Sequence, residues 1–334
     1  MKKVVALLLC MTLVAGTLTA CGGAKAEAAK TGLGVATSIA KSTPAGEEDG
    51  LAEVDSIIAA VLVGTDGKIL ACKIDAAQTK INFSADGKLI TDPSTTFQTK
   101  QELGTNYGMA AASSIGKEWN EQADAFAAYT VGKTVDEVKG VAVNEEGVPT
   151  DADLTSSVTV HVGDFVSAVE KAVANAKDLG AKSTDKLGLG TTTQMSSSTD
   201  ATADAEGLAQ AYSMYAVVTT DDSGKITSSY VDASQGNVNF DTTGAITSDL
   251  AAAVSTKQEL GDAYGMKSAS SIGKEWFEQA DSFSSYVIGK TASEVSGIAV
   301  DGEGYAADAD LISSVTVHVG PFMSVVEKAA SNAK

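Results

Sequence analysis

The chain has 334 residues, 44% of them hydrophobic, with 24 basic against 43 acidic side chains and a formal net charge of −19. That balance excludes nucleic acid and anionic lipid headgroups as partners, because both need a basic footprint. Three cysteines and two histidines in the whole chain leave too few soft ligands for a Cys/His zinc or iron–sulfur centre, and no metal site is expected.

Lys2 and Lys3 precede an apolar run over residues 4–14, followed by Leu18-Thr19-Ala20-Cys21. A basic start, a short hydrophobic stretch and a small-residue cleavage site make an export signal. Its L-T-A-C ending is that of a bacterial lipoprotein signal. Residues 1–20 are then the signal peptide, and Cys21 is the lipid-modified residue that anchors the mature protein to the extracellular face of the cell membrane. Residues 21–31 are small, polar and charged and read as a flexible tether. Cys10 leaves with the signal and Cys21 takes the lipid, so Cys72 stands alone and no intrachain disulfide is expected.

Two units follow, residues 32–177 and 188–334, each opening on Gly-Leu-Gly and joined by a linker at residues 178–187. The strings KQELG, YGM, ASSIGKEW, DADL and SSVTVHVG occur in both, at a constant offset of 157 residues. Two copies are too few for a solenoid, and the expected picture is two beads on a string.

Within the first unit, residues 54–63 and 69–74 are rich in β-branched side chains and flank the turn sequence TDGK, which predicts a hairpin. Residues 80–83 and 88–91 surround a second Asp-Gly turn. Thr99 with Glu102, and Thr134 with Glu137, form capping-box patterns. Trp119, Ala123, Phe126 and Ala127 recur at helical spacing. Val158, Val160 and Val162 alternate with Thr159 and His161, which predicts a short extended segment carrying both polar side chains on one side. An apolar stripe through Phe165, Val166, Val169, Ala172 and Val173 predicts a following helix. Pro321, which stands where the first copy has Asp164, suits a first helical turn. The expected fold class is α+β: in each unit an antiparallel sheet with helices packed on it.

Asp153-Leu154-Thr155-Ser156-Ser157-Val158-Thr159 recurs as Asp310-Leu311-Ile312-Ser313-Ser314-Val315-Thr316. The strip resembles the D-x-x-S-G-A-T pattern of domains that carry FMN covalently. In that family a flavin transferase esterifies the FMN phosphate to the final threonine. The resemblance implies two tandem homologous FMN-binding-type domains, with Thr159 and Thr316 as acceptors and Asp153, Asp310, Ser156 and Ser313 in register. Ser157 and Ser314 stand where the family has glycine, and Val158 and Val315 where it has alanine. With the lipoprotein signal, the chain is similar to the lipid-anchored electron-transfer flavoproteins of Gram-positive bacteria. Such proteins pass electrons from a membrane-bound donor to extracellular acceptors such as ferric iron.

Other residues carry two readings. His161 and His318 are either structural or hydrogen-bonded to FMN. Trp119 and Trp276, with Tyr107 and Tyr264, either stack on the isoalloxazine or pack in the core. Lys117 and Lys274 either offset the flavin phosphate or are solvated lysines at a helix end. Neither half offers a nucleophile elbow or a paired catalytic base, so a redox carrier is expected ahead of an enzyme. A flavin-dependent surface reductase and a flavin-free solute-binding or adhesion lipoprotein are the rival readings.

Overall fold

The structure is a computed structural model that describes residues 26–334. The signal peptide, Cys21 and the first part of the tether lie outside the described residues. The first half builds β1 (Ala29–Ser38), β2 (Gly50–Gly64), β3 (Ile69–Phe83), α1 (Lys100–Leu103), α2 (Trp119–Thr130), α3 (Val135–Lys139) and α4 (Gly163–Ala174). The second half builds β4 (Lys186–Gln194), β5 (Gly207–Thr220), β6 (Ile226–Phe240), α5 (Lys257–Leu260), α6 (Trp276–Tyr286), α7 (Ala292–Ser296), α8 (Ala309–Ile312) and α9 (Gly320–Ser331). Apart from the single turn of α8, the order repeats. Each half is an antiparallel meander, β1-β2-β3 or β4-β5-β6, so the α+β class holds.

The helix starts follow local chemistry. Thr99 and Thr134 close the expected capping boxes with Glu102 and Glu137, each satisfying two of the amides that a helix start leaves unpaired. Glu118 does the same for α2 with Glu121. Pro321 lies in the first turn of α9. The Gly-Leu-Gly strings permit close helix–strand packing. A Cβ on Gly32 would lie 2.0 Å from the Ala172 carbonyl oxygen of α4, and one on Gly188 would lie 2.0 Å from that of Ala329 in α9.

The strands are longer than their sequence signals. Residues 80–83 continue β3 instead of starting a new strand, and residues 88–91 contribute one bridge, Phe83 to Leu89. β1 begins at Ala29, within the expected tether, and β4 begins at Lys186, within the expected linker. The linker is also tied to the tether: the Ala29 amide donates to the Ala181 carbonyl at 2.9 Å, and Ala181 is buried.

The beads-on-a-string picture is overturned. One face of the first sheet (Ala59, Val61, Ile74) packs under α2 and α4, and the second half repeats this under α6 and α9. The opposite faces pack on each other. Leu33, Ile58, Ala60 and Leu62 share a cluster with Leu189, Tyr215 and Val217. Phe83 and Phe240 stack at 4.3 Å with their planes 9° apart. The layers run helix, sheet, sheet, helix. Both faces of β2 and β5 are covered, which is why their sequences are continuous apolar runs and not alternating ones. Lys171 of α4 reaches Glu259 of the other half at 2.7 Å, and Lys328 of α9 reaches Glu102 at 2.6 Å. These ion pairs are reciprocal, as in a two-fold assembly.

Candidate functional site

The repeated strip is not extended. The Asp151 carboxylate accepts from the Asp153 amide at 2.9 Å. The Val158 amide then donates to the Leu154 carbonyl at 2.8 Å. Leu154 and Val158 enter the core four residues apart, as in a helical turn, and residues 158–162 form neither helix nor strand before α4 begins. In the second copy Asp308 caps α8 in the same way. Thr159 and His161 therefore do not share one side of a strand: Thr159 is half-buried and His161 exposed. Valine at alternate positions mimicked a strand, while the aspartate cap and the four-residue burial spacing decide the geometry.

Thr159 and Thr316 are each held by a buried glutamine that sequence reasoning missed. The Thr159 amide donates to Gln122 Oε1 at 2.8 Å, and its hydroxyl lies 3.2 Å from the same oxygen. Thr316 and Gln279 repeat this at 2.8 and 3.4 Å. Gln122 in turn donates through Nε2 to Ser113 Oγ and to the Lys117 carbonyl. The loop bearing Lys117 is fastened by Glu118, whose carboxylate accepts the amides of Met109 and Ala110. Tyr129 of α2 and Tyr286 of α6 anchor the strip from beneath, donating to Asp151 and Asp308. The signal available in the sequence was the shared EQAD string, which places Gln122 and Gln279 at equivalent positions.

The other expected residues fall as follows. Asp153, Asp310, Ser156 and Ser313 are exposed beside the threonines. Ser157 and Ser314 are half-buried and turn their hydroxyls back onto the carbonyls of Leu154 and Leu311. Among the described residues no non-glycine residue has a positive φ, so a serine at these positions carries no left-handed backbone strain. Lys117 serves the site through its carbonyl, and Lys274 points its ammonium at Ser282. Trp119 and Trp276 are buried, edge-on to Phe165 and Phe322. Cys72 is half-buried.

A cavity of about 280 Å³ opens at Val317 and His318, the two residues after Thr316, and is lined also by Tyr212, Lys257, Tyr264 and Trp276. Lys257 is 5% exposed. Its ammonium lies 4.5, 4.4 and 5.0 Å from the ring centres of Tyr212, Tyr264 and Trp276 and donates to the Tyr212 hydroxyl at 3.2 Å. Burial pulls this lysine down to about 8, against the opposing pull of Asp232. At neutral pH it still carries its charge, facing ring quadrupoles. In the first half Lys100 sits 4.6 Å from Tyr107 and 5.3 Å from Trp119. There the position of Tyr212 is taken by Asp55, which pairs with Lys41 at 2.6 Å.

This donor set suits a planar, ring-bearing ligand with a polar edge. The volume lies near the lower bound of small-molecule cavities. An aromatic wall with one buried ammonium can meet the polar edge of a flat ring, while the Thr316 hydroxyl donates to Gln279 at 3.4 Å, a contact that a phosphate ester would replace. Among the described residues no group of three or more His, Cys, Asp or Glu side chains is placed to hold a metal ion, and no helix is long and apolar enough to cross a membrane.

No family model matches the chain, and no solved structure matches it. A chlorophenol reductase of Desulfitobacterium hafniense is 55% identical over 40 residues, which are 12% of this chain and 12% of that protein. The chain thus spans about an eighth of the length of the curated relative it is similar to.

Proposed function

We propose that the protein is a lipid-anchored extracellular electron-transfer flavoprotein, held to the membrane through Cys21, with one FMN per half ester-linked to Thr159 and Thr316. The observation that carries this reading is the paired setting of the two threonines. Each lies at the end of a D-x-x-S-S-V-T strip, fixed through its amide to a buried glutamine. The aromatic and lysine-lined cavity begins one residue past the second, at Val317.

Bound FMN supplies one- and two-electron chemistry, so the protein need only hold and tune it. Gln122 and Gln279 would fix the acceptor backbone, and each threonine hydroxyl would exchange its bond to the glutamine oxygen for the flavin phosphate. Tyr264 and Trp276 would wall the ring, and Lys257 would face its polar edge. Electrons would come from a membrane-bound reductase and leave to extracellular acceptors such as ferric iron. In this reading the protein is a carrier. The 40-residue match to a chlorophenol reductase covers too little of either chain to assign a substrate.

Intact mass of protein exported beside a flavin transferase tests the reading. A gain of two FMN groups, one lost in Thr159→Ala and the other in Thr316→Ala, is the expected result. An unmodified, colourless protein would leave the flavin-free ligand-binding lipoprotein as the better account.

A further inference from the structure

The two halves share a backbone plan but not a charge pattern around the site. In the first half Glu53, Asp55 and Asp164 gather near Lys41 and Lys80. Lys41 meets Asp55 at 2.6 Å and Glu53 at 3.9 Å, Lys80 meets Glu53 at 3.4 Å, and Asp164 acts on Lys41 electrostatically. The second half carries Gln210, Tyr212, Pro321, Ser197 and Asn237 at the equivalent positions. All five are uncharged. Three carboxylates and two ammoniums thus face five neutral side chains, leaving the first site with one more negative charge. The charges common to both sites cancel in the comparison: Asp75 with Asp232, Glu118 with Glu275, and Lys100 with Lys257.

The lysines differ as well. Lys257 is buried and closed in by Tyr212 on one side and by Tyr264 and Trp276 on the others. Lys100 is half-buried and lacks the third ring. A charge in a desolvated pocket acts more strongly than one open to water.

Resting on the flavoprotein reading above, we propose that Tyr212 and Lys257 make the Thr316 site the more oxidising of the two, so that electrons entering the protein settle in its second half. Two-electron reduction by the membrane reductase, with uptake of one proton from water, leaves one negative charge on the ring. Lys257 meets that charge with only the carboxylates common to both sites around it, whereas the additional Glu53–Asp55–Asp164 group opposes it at the Thr159 site. Tyr212 is a positioning residue here: it shields Lys257 and replaces the acidic Asp55.

The test uses full-length protein matured beside a flavin transferase. Thr159→Ala leaves flavin at Thr316 only, and Thr316→Ala leaves it at Thr159 only. Each is equilibrated with a reference dye of known potential, and both absorbances are read. The Thr159→Ala protein is expected to show about a tenfold larger reduction equilibrium constant, about 30 mV for a two-electron couple. Tyr212→Asp should narrow the gap from one side. Asp55→Asn, an isosteric change at a half-buried position, should narrow it from the other. Equal or reversed equilibria, or a gap indifferent to both substitutions, would overturn the proposal while leaving the flavoprotein reading intact. Absence of covalent flavin by mass in every variant would overturn both, and the mass reading distinguishes the two failures.

Discussion

The amide of Thr159 and the side-chain oxygen of Gln122 meet at 2.8 Å, which ties the repeated strip to a fully buried position on α2. Replacing Gln122 with alanine removes that acceptor and leaves a partly buried amide unpaired, at a cost of about 1–3 kcal/mol. Thermal unfolding of Gln122→Ala should show the loss. On the flavoprotein reading, flavin at Thr159 should fall while flavin at Thr316 is retained. Equal loss from both halves would mean that the glutamine acts on folding alone.

Phe83 and Phe240 are fully buried and stacked across the sheet–sheet contact. Phe240→Ala is expected to cost about 3–5 kcal/mol. Because the two halves share this layer, calorimetry of the intact protein should show one cooperative transition, and the variant one transition at lower temperature. Two resolved transitions in the parent protein would contradict the shared core.

Gly34 approaches α4 so closely that a Cβ would lie 2.2 Å from the Ala168 carbonyl oxygen. That oxygen and the Ala172 amide nitrogen, at 2.4 Å, are backbone atoms of a packed helix, so neither yields easily. Gly34→Ala should destabilise by about 1–3 kcal/mol through forced separation of strand and helix, measurable by denaturant unfolding. An unchanged midpoint would show that the helix can shift freely.

Burial raises Asp75 to about 6 and Asp232 to about 7. Each accepts from a helix-start amide, Gln101 or Gln258, but each is costly to ionise where it lies. A carboxyl raised on folding binds more protons in the folded state than in the unfolded one. Its contribution is therefore full below an unfolded value of about 4 and is lost as pH rises through about 6–7. Lys257, lowered to about 8, works in the other direction, and its penalty is relieved only above that pH. Between pH 5 and 8 the carboxyls should dominate. The melting temperature of the Asp75→Asn/Asp232→Asn double variant is expected to fall less over this range than that of the parent, by an effect on the order of 1 kcal/mol. Parallel curves for the two proteins would refute the assignment.

Local chemistry was well signalled in the sequence. The capping boxes at Thr99 and Thr134, the apolar stripe of α2, the helix start at Pro321 and the TDGK hairpin turn all lie where the residue patterns put them. The contact between the sheets was not legible. The run Ile57-Ile58-Ala59-Ala60-Val61-Leu62-Val63 shows that β2 is buried on both faces but does not say what covers the second face. The strip at Thr159 misled because β-branched residues at alternate positions look like a strand, while the deciding contact is with Gln122, 37 residues away. A glutamine on a helix ordinarily reads as a surface residue, and only its burial reveals what it holds.

The crossed ion pairs, Lys171 with Glu259 and Lys328 with Glu102, give this single chain the interior of a two-fold dimer. In a true homodimer one sequence serves both sites, and any change appears twice. Here each half has its own codons, so Tyr212 can stand opposite Asp55 without disturbing the packing that joins them. Pseudo-symmetry of this kind lets a structure keep the solidity of a dimer while its two ends become different from each other.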